Sequence, residues 1–183
     1  SQIVESGTGL SHAYTLRTSA IIYNAIGQII TMSRTTVDGG LTTTEVDNTN
    51  RTYNSLGQLM SSSTSIYERG TGLSHDYSQT ISAIGYNTLG QVLYMTRVTV
   101  DGGLTTTETD TANRTYNSLG QLTSSTSQIS ETGSGLSRAY TQSIWGITYN
   151  ALGQTLSMSG ATVNDGLTTT ETDTANRTYN SLG

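Results

Sequence analysis

Tyr53-Asn54-Ser55-Leu56-Gly57-Gln58 decides the fold, because the same stretch returns throughout the chain. It recurs as Tyr23 to Gln28, with Ile26 for Leu, and as Tyr86 to Gln91, Tyr116 to Gln121 and Tyr149 to Gln154. A sixth copy starts at Tyr179 and is cut off at Gly183. Successive tyrosines lie 30, 33, 30, 33 and 30 residues apart, so the repeat is 63 residues long and holds two unequal halves. Self-similarity at a fixed period marks an array rather than a single irregular domain. The repeats are 1–63, 64–126 and 127–183, one continuous array over 1–183. The last repeat stops inside the motif and the first begins inside a strand, which predicts an excerpt of a longer chain.

The motif itself reads as a reversal between antiparallel strands. Asn tolerates left-handed backbone and caps turns with its amide, while Gly supplies positive φ. Tyr and Leu then read as apolar plugs on the inner side of the turn. The tyrosines Tyr53, Tyr86, Tyr116 and Tyr149 are expected to be largely buried in one repeated environment. Working outward, the segment from Leu10 to Tyr23 alternates as a strand, best seen in its third copy, where Leu136, Arg138, Tyr140, Gln142 and Ile144 share a face. Gly146 breaks that alternation and predicts a bulge. A second strand runs from Gln28 to about Val37 and stops at Asp38-Gly39-Gly40, a hairpin signal repeated at Asp101-Gly102-Gly103 and Asn164-Asp165-Gly166. The fourth strand is the most regular: it runs unbroken from Leu104 to Tyr116 and recurs almost unchanged from Leu41 and from Leu167. The segment Ser1 to Gly7, with its copies from Thr64 and Ser127, leads into a glycine turn at Gly7-Thr8-Gly9, Gly70-Thr71-Gly72 and Gly133-Ser134-Gly135. No Lys follows those glycines and no helix opens there, which argues against a phosphate cradle.

Four strands per repeat, joined by short turns, predict an all-β antiparallel hairpin meander curled or coiled into an elongated spiral or rod. Its strands of 10 to 14 residues would span roughly 35 to 45 Å, longer than usual. The composition agrees with strands. Hydrophobic residues make up 33% and charged residues 11%, too few charges for a self-repelling disordered polymer, while the abundant Thr and Tyr favour strands.

Charge excludes some classes of function. Eight Arg and no Lys stand against thirteen acidic residues, a net charge of −5, which disfavours nucleic acid as a partner. Without Cys there are no disulfides and no Cys-based zinc sites. No apolar run reaches the ~20 residues needed to span a bilayer. No catalytic, cofactor-binding or metal-ligating residue is predicted: His12 and His75 occupy equivalent places, Arg138 replaces them in the third repeat, and no Gly-x-Ser-x-Gly elbow is present. Two features keep a sharper alternative open. Glu108, Asp110, Ala112 and Arg114 fall on one strand face, where paired carboxylates invite calcium or simply form a solvated face offset by the Arg. Asn50, Asn113 and Asn176 each begin an acceptor sequence for N-linked glycan.

Tyr53 to Leu59 and Tyr116 to Leu122, both Tyr-Asn-Ser-Leu-Gly-Gln-Leu, resemble the Tyr-Asp (YD) repeat of Rhs-type proteins, whose pattern is Tyr-Asp-x-x-Gly-Arg-Leu. That family includes bacterial Rhs toxins, insecticidal toxin complexes and animal teneurins. The resemblance implies β-hairpins in a spiralling sheet, closed into a shell around a toxin or into a barrel on an adhesion receptor. Here Asn and Gln replace the usual charged residues and the copies are far more uniform, which favours an open fibre over encapsulation. The expected function is a structural segment of an extracellular fibre or cell-surface adhesin stalk, which self-associates or continues into further repeats. The alternatives are an Rhs-type shell segment, and a carbohydrate- or ice-binding surface built from Tyr or Thr rows.

Overall fold

In a computed structural model, residues 2–7 and 10–179 are described, with side chains at 2, 3 and 13–179. The turn at Thr8 and Gly9, the side chain of His12 and the motif copy beyond Tyr179 lie outside that range.

The described chain is all strand, without helix, and runs as successive antiparallel hairpins, as the repeat predicts. Its thirteen strands are β1 (Gln2–Gly7), β2 (Leu10–Tyr23), β3 (Ile29–Asp38), β4 (Leu41–Asp47), β5 (Thr52–Tyr53), β6 (Leu59–Gly70), β7 (Leu73–Tyr86), β8 (Val92–Asp101), β9 (Leu104–Tyr116), β10 (Leu122–Gly133), β11 (Leu136–Tyr149), β12 (Thr155–Asn164) and β13 (Leu167–Thr172). They pack as two compact bodies. One comprises 1–82 with 98–103, the other 83–97 with 104–183. In the first, β1, β2, β3, β4, β6 and β7 pair in that order and β5 pairs with β6. In the second, β9 to β13 pair in chain order.

Local chemistry fixes the turns. Gly39-Gly40 and Gly102-Gly103 have positive φ at both positions, as do Asp165-Gly166, the pattern of a type I′ hairpin whose twist matches that of the strands it joins. The expected bulge is present at Gly146 (φ 62°): the pairing steps from Trp145↔Ser159 to Thr148↔Ser157, three residues against two. Ala20 (φ 50°) and Ala83 (φ 51°) hold the same left-handed conformation at the equivalent places, at a steric cost that Gly146 avoids.

The core is thin. Among the described residues the buried hydrophobic ones are Ile66 in the first body and Ile84, Ile129 and Ile147 in the second. A buried Ile is worth ~1.5–3 kcal/mol. Much of the remaining cohesion comes from backbone ladders and cross-strand hydroxyl pairs, such as Ser63 with Thr80 at 3.0 Å and Thr126 with Ser143 at 3.1 Å.

The strand that starts each repeat's acidic segment differs from the sequence expectation of an unbroken, regular element. In the first repeat it ends at Asp47 and resumes only at Thr52; in the second its register with β10 slips three times between Tyr116 and Asp110. An acidic residue, Asp47 or Asp110, stands at the edge of each irregularity.

Candidate functional site

Each of the five described turn motifs is a closed amide network. In the copy at Asn117, its Oδ1 accepts from the backbone N–H of Leu119 (3.0 Å) and of Gln121 (2.9 Å), and its Nδ2 donates to Gln121 Oε1 (2.7 Å). The backbone N–H of Asn117 donates to the carbonyl of Gln121 and that of Gly120 to the carbonyl of Asn117. The same bonds recur at Asn24, Asn54, Asn87 and Asn150. Asn, Gly and Gln are thus fixed by the turn, whereas Leu is not.

Successive motifs interlock within each body. Tyr53 donates its hydroxyl to the carbonyl of Ile29 at 2.6 Å, Tyr116 to Val92 at 2.5 Å and Tyr149 to Leu122 at 2.7 Å. In every case the acceptor is the residue just after the Gln of the preceding motif. That Gln also lies under the next motif's glycine: a Cβ added at Gly57 would stand 3.2 Å from Gln28 Nε2, and one at Gly120 3.1 Å from Gln91 Nε2. The tyrosines are therefore half-buried staples rather than the buried core residues expected. The expected apolar plug is also corrected. Leu56 is 81% exposed and Leu152 83%, with Ile26, Leu89 and Leu119 similarly open, because a turn closed by Asn and Gly leaves its third residue pointing outward. Each body thus presents apolar side chains at the tips of adjacent turns, a feature that sequence reasoning missed. Their conspicuous signal was that Leu recurs where the turn does not need it.

The acidic segment forms a polar node, not an open carboxylate face. Asp110 has a side chain only 1% exposed; its Oδ2 accepts from Arg114 Nε and from the N–H of Met95, both at 2.9 Å, and its Oδ1 accepts from the Ser127 hydroxyl at 3.0 Å. Asp47 repeats this with Arg51, Met32 and Thr64. Glu108 instead faces Arg97 at 3.5 Å. The two acids are committed to different guanidinium groups, and among the described residues no three His, Asp or Glu side chains gather to hold a metal. Asn50, Asn113 and Asn176 are exposed in the irregular stretch between this Asp and Arg.

In the first body, His75 bridges two carboxylates. Its Nδ1 lies 3.0 Å from Glu68 Oε2 and its Nε2 2.9 Å from Asp101 Oδ1, while its ring stacks on Tyr77 at 5.1 Å. Both ring nitrogens can donate only when the imidazole is protonated, so the hydrogen bonds to Glu68 and then Asp101 raise its pKa above the ordinary value. In the third repeat Arg138 takes this place and pairs with Glu131, and Asn164 stands where Asp101 does; a permanent cation accompanies one acid instead of two. Because the folded pKa is raised, the stabilisation from His75 is fully present below pH ~6.5 and fades as pH rises through the folded value. Thermal melts from pH 5.5 to 9 are expected to show a larger fall of Tm for the native chain than for His75→Arg. Equal pH profiles would rule out the bridge.

No helix of the described chain is long and apolar enough to cross a membrane. No protein-family model, curated protein or solved structure matches the chain.

Proposed function

We propose that the chain is a structural segment of an extracellular fibre or surface adhesin stalk, built from YD-like repeats, whose exposed turn tips offer it an apolar contact row. The observation that carries this reading is the interlock between motifs within each body: Tyr53, Tyr116 and Tyr149 donate to the backbone just after the preceding motif, and Gln28, Gln91 and Gln121 lie beneath Gly57, Gly120 and Gly153. Such a device has no intrinsic limit on copy number. Repeats that touch only their neighbours gain stability as a sum of unit and interface terms. The small number of buried hydrophobic residues among those described fits repeats held by backbone ladders more than by a deep interior.

The test is a series of chains with one, two, three and six 63-residue repeats, followed by thermal melting and electron microscopy. Rising Tm with copy number, together with particles that lengthen at constant width, supports the fibre. A hollow particle of fixed diameter at six repeats would favour the Rhs-type shell. A compact monodisperse globule at every length would overturn both.

A further inference from the structure

The repeats differ at one place where the backbone gives no reason for it. Arg34 and Arg97 occupy equivalent positions in β3 and β8, and each faces a glutamate on the next strand: Arg34 Nε pairs with Glu45, and Arg97 lies 3.5 Å from Glu108. The third repeat has Gly160 at this position, in register with Glu171 on β13. Gly160 is not among the residues with positive φ, and a Cβ there would meet Ser143 O at 3.5 Å and Ile144 Cγ2 at 3.8 Å, ordinary contacts. Neither turn geometry nor crowding requires a glycine.

Over Gly160 lies a groove of about 260 Å³, with Ile144 and Met158 among its apolar lining and Glu171, Asp173 and Arg177 among its charged residues. Arg177 is already held by Asp173 at 3.0 Å. The corresponding groove in the first repeat, about 250 Å³, has Arg34, Glu45, Asp47 and Arg51 among its lining residues, two cations against two acids. In the third repeat there are two acids and one cation, and Glu171 makes no ion pair among the described residues. The molecule thus holds two filled examples of a site whose third copy lacks its cation.

We propose that the groove over Gly160 and Glu171 is a receptor for a guanidinium group presented from outside the repeat, the side chain of an arginine in another polypeptide. Glu171 accepts from the guanidinium, as Glu45 accepts from Arg34 Nε, while Ile144 and Met158 pack the methylene stem. An ammonium ion would supply the charge but not the planar donor edge through which Arg34 reaches Glu45. The inference is independent of the fibre reading, since it rests on one repeat's groove.

The probe is Nα-acetylarginine amide, whose only charge is its guanidinium, titrated into the intact chain at low salt and followed by ¹H–¹⁵N spectra. Saturable shifts are expected at Gly160 and Glu171, with a Kd on the order of tens of millimolar, as for a solvent-accessible ion pair, weakened about fivefold by Glu171→Gln. Gly160→Arg should abolish the response by restoring the internal partner. The neutral isostere Nα-acetylcitrulline amide should give none. Equal shifts with citrulline, an unchanged response in Gly160→Arg, or no saturable shift would each overturn the proposal. Binding by free arginine but not by its blocked form would do so as well, because it would place recognition on the α-amino group of a small molecule rather than on the side chain.

Discussion

Asp110→Ala is expected to lower stability by about 3 kcal/mol, the largest loss for a polar substitution in the second body. The carboxylate is 1% exposed and serves three donors at once, Arg114, the Met95 N–H and the Ser127 hydroxyl. Removing it strands a largely buried guanidinium and a strand N–H that has this carboxylate as its acceptor. Losing one partner of a buried pair costs much more than the pair contributes net, because the survivor keeps its desolvation penalty. Asp173→Ala is the internal comparison. It holds the same place in the third repeat, but its side chain is 28% exposed and water can replace it, so about 1 kcal/mol is expected. Denaturant midpoints of the two variants should differ accordingly; a loss below about 1 kcal/mol at Asp110 would show that the node is dispensable.

Gly120→Ala is expected to cost about 2–3 kcal/mol, from two sources that can be separated. The φ of 80° alone strains any L-residue by ~1–2 kcal/mol. The new Cβ would also stand 3.1 Å from Gln91 Nε2, and Gln91 cannot swing away freely because its Oε1 accepts from Asn87 Nδ2. Gly166→Ala isolates the first source: its φ is also 80°, but nothing lies within 4 Å of where its new Cβ would stand. The difference between the two variants in the same melt measures the interlock between motifs. No difference would mean that Gln91 yields without cost and that the motifs merely adjoin.

The period and the hairpin turns were legible because they depend on local rules. Asp38-Gly39-Gly40 needs no tertiary information to be read as a reversal, and Gly146 announced its own bulge. The burial of Asp110 was not legible. On a period-two strand it falls with Glu108 on one face, and the ladder keeps the two in step, opposite Ser127 and Ile129. What separates them is the partners that neighbouring strands supply, the Met95 N–H and the Ser127 hydroxyl for Asp110 and the Arg97 guanidinium for Glu108, which no single strand's sequence shows. Likewise, a large apolar residue in a repeated motif reads as core, yet Leu119 points outward because Asn117 and Gly120 close the turn without it. The tyrosines were placed in the right row but with the wrong role: an exposed-to-buried scale cannot anticipate a hydroxyl aimed at a carbonyl 24 or 27 residues earlier.

That carbonyl has a consequence for how such a gene can change. Tyr53, Tyr116 and Tyr149 all donate to main-chain oxygen, and the residues that bear it are Ile29, Val92 and Leu122, three different side chains. The hydroxyl contact is blind to the acceptor's side chain, and the other contact uses only the Gln and Gly that the motif itself carries, so a repeat does not need to be matched to its predecessor. Recombination between copies can delete, duplicate or exchange whole repeats and still leave every junction closed. The identity of Leu104–Tyr116 with the segment from Leu167 to Tyr179 is what such exchange would leave behind, while positions outside the junction, such as Gly160, remain free to diverge.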